Sequence, residues 1–287
     1  MGQYLFYQRF STEHKCFKFL RKMQRQGKQL RCQCGSCRMW ITKKPNGCWV
    51  YTCKNCRSKW SDLFGTPFAN SKTPLTKWFI TIYEFTNNQA ISAMTLKRKI
   101  KVTYKTAWRM LSKIREAIWF HQNHDLFLSG VVEVDETYIG GRRKGKRGRG
   151  AAGKSPVIGF VSRGGDTFAQ KIQDVSSFSL HKAIAERVMP GSTLITDEWQ
   201  GYNGISALGY ERRVINHDKQ FVKEQLYTNS VEGFWSLFKR RVRGVYASIS
   251  PKYLNYYLAE ASFKYNLRFN NDPLYATFNV CLVPLKG

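Results

Sequence analysis

Apolar residues change their spacing several times along the chain, and each change predicts a change of element. Residues 1–30 place Cys16, Phe17, Phe19, Leu20 and Met23 at helical spacing. They predict one amphipathic helix with Ser11 as its N-cap. Residues 31–60 read as short strands and turns. From 75 to 120 the helical period returns in "LTKWFITIYEFTN", "SAMTLKRKI" and "YKTAWRMLSKIREAI", the last two separated by a short "KVT" break. Beyond about residue 130, β-branched runs divided by glycines predict strands in "GVVEVDETYIGG", "KSPVIGFVSRGG" and "TFAQKIQDVS". A helix "SLHKAIAERV" and a further strand "STLITDEW" follow. The C-terminal third is helical again through "VEGFWSLFKRRVRGVY" and "PKYLNYYLAEASFKYNLRF". There are no internal repeats.

Two strands end in carboxylates. Asp135 closes one β-branched run and Asp197 closes another. An acid at the end of an apolar strand is uncommon unless it is paired, capping or bound to metal. Strands joined by a long hairpin excursion and a helix, with acids at their ends, fit an α/β fold of the ribonuclease-H-like kind. In that fold two adjacent central strands bring Asp135 and Asp197 to the same cations. The stretch "SVEGFWSLFKRR" supplies a third acid. Val231, Phe234, Trp235 and Phe238 fall at i, i+3, i+4 and i+7 and fix the buried face of a helix. Glu232, Ser236, Lys239 and Arg243 share another face. On that face Glu232 would complete a site for two Mg²⁺ or Mn²⁺ ions, with Lys239 and Arg243 gripping a DNA backbone. Two such ions serve in-line displacement at phosphorus. A solvated Glu–Lys helix surface is the plain alternative.

Composition sharpens the partner. Of the 287 residues, 47 are Lys or Arg and 19 are Asp or Glu, for a formal net charge of +28. Charge of that sign is matched to a polyanion, because neutralising phosphates releases counterions. An apolar fraction of 43% excludes a disordered basic tail. With no signal peptide and no apolar run long enough to span a bilayer, no membrane partner is expected. A cytoplasmic, nucleoid-associated protein follows. Seven of the eight cysteines lie between Cys16 and Cys56, which reads as metal ligation in a reducing compartment. Cys34-x2-Cys37 and Cys53-x2-Cys56 match a four-thiolate zinc ribbon whose Zn²⁺ is structural. Cys32 and Cys48 are left over, each a substitute ligand or a small core residue. Residues 92–118 read as a helix-turn-helix. Thr103 caps its second helix, and Lys105 and Arg109 stand on its outer faces. The only biased segment is "GGRRKGKRGRGAAGK" (140–154). There Arg142, Arg143, Lys144, Lys146, Arg147 and Arg149 form a basic loop suited to gripping phosphates. His217 reads as a structural or backbone-contacting residue.

The blocks "VEVDETYIGG", "KSPVIGFVSRGG", "TDEWQGY", "VINHDKQFV", "YTNSVEGFWSLFKRR" and "PKYLNYYLAEASFKYNLR" together resemble a bacterial insertion-sequence transposase. The group is the one with an N-terminal zinc ribbon, related to the eukaryotic Merlin elements. The likeness spans nearly the whole chain. It implies a DDE-type enzyme with Asp135 and Asp197 as first and second acids and the third ligand in "TNSVEGFW". Glu232, seven residues before Lys239, has the spacing typical of such enzymes. Asn229 is then a neutral ligand or positioning group. The chain departs from the group at "CQCGSC", which replaces the usual Cys-Pro-x-Cys-Gly knuckle, and at Lys264, where the group has Arg.

The resemblance implies binding of terminal inverted repeats, hydrolysis that exposes a 3′-OH, and transfer of that end to target DNA. The transposase would work as a homodimer or larger synaptic assembly. The expected regions are an N-terminal helical segment (1–30), a zinc ribbon (31–72), a helix-turn-helix (73–124) and a catalytic domain (125–287). The rivals are a zinc-ribbon DNA-binding regulator with an inactive ribonuclease-H-like domain, and a tyrosine or serine recombinase. The sequence shows no Arg/His/Arg/Tyr constellation ordered for the latter.

Overall fold

In the computed structural model, which describes residues 2–27, 29–140, 153–215 and 229–282, the N-terminal stretch forms two helices. These are α1 (Gln3–Arg9) and α2 (Glu13–Arg25), where the periodicity predicted one. The cap is Thr12 and not Ser11: the Thr12 hydroxyl accepts from the Lys15 backbone N–H at 3.3 Å. Cys16, Phe17, Leu20 and Met23 are buried, as their spacing requires. Three antiparallel strands follow, β1 (Met39–Lys43), β2 (Trp49–Cys53) and β3 (Lys59–Ser61), in that spatial order. Asp62 ties them to α2. Its buried carboxylate accepts from Arg21 at 2.7 Å, from the Trp49 N–H at 2.7 Å and from the Tyr51 hydroxyl at 2.6 Å.

Helices α3 (Leu75–Asn87), α4 (Ala93–Ile100) and α5 (Tyr104–Asp125) come next. Ser92 caps α4, and Thr103 caps α5 by accepting from the Thr106 N–H at 3.1 Å. The turn between α4 and α5 is three residues long, with Lys101 in the left-handed region at φ 51°.

Strands β4 (Val131–Ile139), β5 (Ser155–Ser162), β6 (Thr167–Lys171), β7 (Thr193–Thr196) and β8 (Glu211–Val214) make a mixed sheet in the order β6-β5-β4-β7-β8. β5 is antiparallel to both β4 and β6, while β4, β7 and β8 run parallel. Helix α6 (Ser177–Ala185) provides the crossover between β6 and β7, and α7 (Asn229–Arg241) and α8 (Leu254–Asn266) follow β8. Side chains alternate across the sheet. Val132, Val134, Ile158, Phe160 and Leu194 pack against Leu180, Ala183 and Ile184 of α6. Val157, Val161 and Ala169 face the opposite way, onto Val231, Phe234, Trp235 and Phe238 of α7 and Leu258 and Ala261 of α8. The apolar face read from the spacing of α7 is therefore its buried face. Burying each such large side chain stabilises the fold by about 1.5–3 kcal/mol.

The chain divides into two compact units, residues 1–117 with 271–287 and residues 118–270. The last helix, α9 (Pro273–Leu282), belongs to the first. Its Phe278 sits against Phe10, Phe19 and Phe79 at ring-centroid separations of 5.7, 5.1 and 4.9 Å. The sequence reading had placed residues 271–282 with the catalytic region. Among the described residues, no helix is long and apolar enough to cross a membrane.

Candidate active site

The register of β4 on β7 decides where the two aspartates meet. Val132 pairs with Leu194 and Glu133 with Ile195. Two residues further along each chain lie Asp135 and Asp197. Because Val132 and Val134 face α6, Asp135 falls on the α7 side, while Asp197 follows Thr196, the last residue of β7. Asp135 is half-buried there. Its carboxyl is pushed up to about 7, first by burial and then by the charges of Glu136, Asp197 and Glu232, with Lys239 opposing. Asp197, Glu232 and Lys239 therefore lie near enough for their charges to act on Asp135.

A cavity of 660 Å³ is lined by Asp135, Glu232, Trp235, Ser236, Lys239, Arg240, Arg243 and Gly244. The four residues read from the sequence as one face of α7 all line it, opposite Asp135. Burial lowers the pKa of Lys239, as do Arg243 and Lys154, while Asp135 opposes them. Past Arg241 the helix widens into a π-helical turn, Val242–Tyr246, which carries Arg243. Trp235 closes the floor by lying against Gly159, the residue paired with Asp135 across β4 and β5.

The loop carrying Asp197 is held by a residue the sequence reading did not single out. Arg212 on β8 donates to Thr196 Oγ1 at 3.0 Å, to the carbonyls of Asp197 and Trp199 at 3.1 and 3.2 Å, and to Asn203 Oδ1 at 2.6 Å. Asp197 Oδ1 itself accepts from the Trp199 N–H at 3.0 Å. Tyr202, fully buried, donates to Glu136 Oε2 at 2.6 Å. Burial and the carboxylates of Glu136, Asp135 and Asp197 hold its hydroxyl protonated well above the ordinary range. The block "TDEWQGY" carried the signal for Tyr202. Arg212 lies in a polar edge strand and carried none.

Carboxylate oxygens are the donors that Mg²⁺ and Mn²⁺ take, and Asp135 and Glu232 offer theirs to the cavity. Asn229 opens α7 and is exposed, outside the residues lining the cavity. Lys105 and Arg109 are exposed on α5. Arg142, Arg143, Lys144, Lys146, Arg147, Arg149 and His217 lie outside the described residues.

The cysteine cluster corrects one expectation. Cys32, Cys34, Cys53 and Cys56 bring their sulfurs within 4.8 Å of one another, and Cys37 is not among them. The closest pairs are Cys32 with Cys56 at 3.5 Å and Cys34 with Cys53 at 3.6 Å. Four thiolates about 2.3 Å from zinc stand about 3.8 Å apart, so the set fits. The first turn explains the exchange. Gly35, at φ 84°, donates to the Cys32 carbonyl at 2.8 Å, and Cys32 donates to the Ser36 carbonyl at 2.9 Å. That bend folds Cys32 inward to stand beside Cys34. Bonds from Ser58 bring the Cys56 thiol down to about 6 and favour its thiolate.

The ISXO2-like transposase domain model matches residues 127–266, the span that holds the sheet, Asp135, Asp197 and α7. That span is similar to the insertion-sequence DDE transposases, as two relatives also support. The chain is 28% identical over 208 residues to an uncharacterized protein in transposable element ISH50 of Halobacterium salinarum. The match covers 66% of this chain and 69% of that protein. An uncharacterized transposase-like protein of Haemophilus influenzae is 27% identical over 116 residues, 40% of this chain and 90% of that one. Among solved structures, the Mos1 strand transfer complex aligns with a TM-score of 0.30 at 10% identity, covering 71% of this chain and 74% of the Mos1 chain. A simian T-cell lymphotropic virus intasome gives 0.31 at 16% identity, covering 64% of this chain and 65% of that one. Neither of these two likenesses carries the assignment.

Proposed function

We propose that the chain is a DDE-type transposase that binds the inverted-repeat ends of its own element, hydrolyses a phosphodiester to free a 3′-OH, and joins that end to target DNA. What supports this reading is Asp135 on β4 beside the parallel strand β7, which Asp197 directly follows, with Glu232 and Lys239 lining the cavity that Asp135 also lines. The sheet order, with its antiparallel hairpin arm and two parallel strands, supports a ribonuclease-H-like fold.

Asp135, Asp197 and Glu232 would hold the divalent cations. A bound pair of Mg²⁺ or Mn²⁺ ions supplies activation of the attacking oxygen and stabilisation of the leaving one. Lys239, Arg240 and Arg243 line the same cavity and neutralise phosphates on either side of the cut, so the backbone is held in line. Asn229 would offer a neutral amide at the start of α7. Lys105 and Arg109 at the open end of α5 suit a major groove, and Arg142 to Arg149 supply further phosphate contacts. Cys32, Cys34, Cys53 and Cys56 hold a structural zinc. A strand-transfer reaction needs two ends at once, which requires a dimer or larger assembly on DNA, in the nucleoid.

Nicking of terminal-repeat DNA with Mg²⁺ or Mn²⁺ tests the reading. Wild type cleaves without a covalent protein–DNA adduct, while Asp135→Asn and Asp197→Asn lose cleavage and keep binding. Retained cleavage in either variant removes that residue from the site. No cleavage by wild type with either metal would leave a DNA-binding regulator, and a trapped adduct would leave a recombinase.

A further inference from the structure

Glu133 precedes Asp135 by two residues on β4, and the pleat turns both side chains toward α7. It is 0% exposed. A carboxylate so placed is costly unless its lone pairs are used. They are used on both sides. Glu133 Oε2 accepts from the backbone N–H groups of Ser230 at 3.0 Å and Val231 at 3.2 Å. Glu133 Oε1 accepts from Arg163 Nε at 3.1 Å. Ser230 and Val231 lie in the first turn of α7, whose N–H groups have no partner within the helix. That end also carries the positive end of the helix dipole. Most N-caps come from the residue just before the helix. Here the cap comes from the strand that bears the first catalytic acid.

We infer that Glu133 is a positioning residue: it pins the first turn of α7 to β4 and so sets where the Glu232 carboxyl stands relative to Asp135. Arg163, the residue just past β5, holds the other carboxylate oxygen and so fixes the orientation of the cap. This inference rests on the reading that Asp135 and Glu232 serve the same cations. The sequence held the signal. In "VEVDE" strict alternation sends Glu133 and Asp135 to one face, and a second acid inside a buried strand requires a partner.

The test uses the full chain and two measurements, backbone amide exchange at Ser230 and Val231 and calorimetric titration with Mn²⁺. In wild type both amides exchange slowly despite their place in the first turn. Glu133→Ala exposes them and weakens Mn²⁺ binding on the order of tenfold or more, the usual effect of losing a group that orients a ligand. Glu133→Gln keeps a carbonyl acceptor at the same reach and retains most of the protection and affinity. Glu133→Asp keeps the charge but withdraws it by one methylene, and it falls below Gln in both measurements. This order also decides the matter should the Ala variant fail to fold. Fast exchange at both amides in wild type, wild-type Mn²⁺ affinity in Glu133→Ala, or Asp outperforming Gln would overturn the inference. If wild type binds no Mn²⁺, the functional reading fails, and amide exchange alone decides whether Glu133 pins the helix.

Discussion

Replacing Gly159 with alanine puts a methyl group where Trp235 already lies. A Cβ built there falls 2.5 Å from Cζ2, 3.1 Å from Cε2 and 3.2 Å from Cη2 of the indole. Carbon atoms rest at about 3.5–4.0 Å, so the ring and the strand must part by about 1 Å. The indole has little freedom to swing aside, because it is 3% exposed and packed between Phe234 and Phe238 at 5.0 and 6.4 Å. The displacement therefore passes to α7. Overpacking of this kind costs about 1–3 kcal/mol, which lowers Tm by about 2–12 °C in a domain of this size. The functional cost is larger. Glu232 and Lys239 stand three and four residues from Trp235 on the same helix, and misplacing a reacting group by about 1 Å costs about 100-fold in rate. Gly159→Ala should thus show a modest drop in Tm by circular dichroism. Its Mn²⁺-dependent nicking, assayed well below that Tm, should fall on the order of 100-fold. Wild-type nicking in a variant with wild-type Tm would refute the claim that Trp235 and Gly159 set the position of α7.

Cys32→Ser should lose the bound zinc, measured by elemental analysis of the purified protein, while Cys37→Ser keeps one zinc per chain; the reverse pattern would restore the spacing-based assignment. Arg212→Lys loses the planar fork that serves four acceptors at once. Nicking should fall on the order of tenfold, proteolysis between residues 197 and 203 should quicken, and DNA affinity should stay unchanged; unaltered nicking would contradict the brace. Asp135 carries a carboxyl raised to about 7 in the folded state, above its unfolded value of about 3.9. Between these values the folded state binds more protons than the unfolded one, so metal-free stability falls as pH rises through that window. A pH series of melting temperatures should show this decline in wild type and a flatter profile in Asp135→Asn; parallel profiles would contradict it.

Features that rest on local periodicity were legible in the sequence. The two faces of α7 follow from 3.6-residue spacing alone, and the burial of Val231, Phe234, Trp235 and Phe238 fixes where Glu232, Lys239 and Arg243 point. Asp197 was legible because it follows an apolar run and does stand just past the end of β7. Asp135, expected at a strand end, is instead the fifth of the nine residues of β4, which continues through the polar Glu136 and Thr137. Features decided between distant segments were not. The break between α1 and α2 turns on Glu13, whose carboxylate caps α3 by accepting from the Leu75 and Thr76 N–H groups at 3.0 and 2.7 Å. Glu13 is the first residue of α2, directly after its cap Thr12. The choice of Cys32 over Cys37 depends on the bend at Gly35, which two equally spaced pairs conceal. β8 reads "ERRV" because it is an edge strand that is largely exposed, so no alternation marks it. The start of α9 did carry a signal, Asp272 accepting from the Tyr275 N–H at 3.0 Å with Pro273 at the first helical position.

The central claim is that residues from β4, the end of β7 and the first turn of α7 jointly seat divalent cations. Anomalous diffraction from crystals of the protein grown with Mn²⁺ tests it without reference to catalysis. The account predicts manganese within bonding distance of both Asp135 and Asp197, lost in the Asp135→Asn crystal. Manganese-free density there at saturating Mn²⁺, in a preparation that nicks DNA, would contradict it.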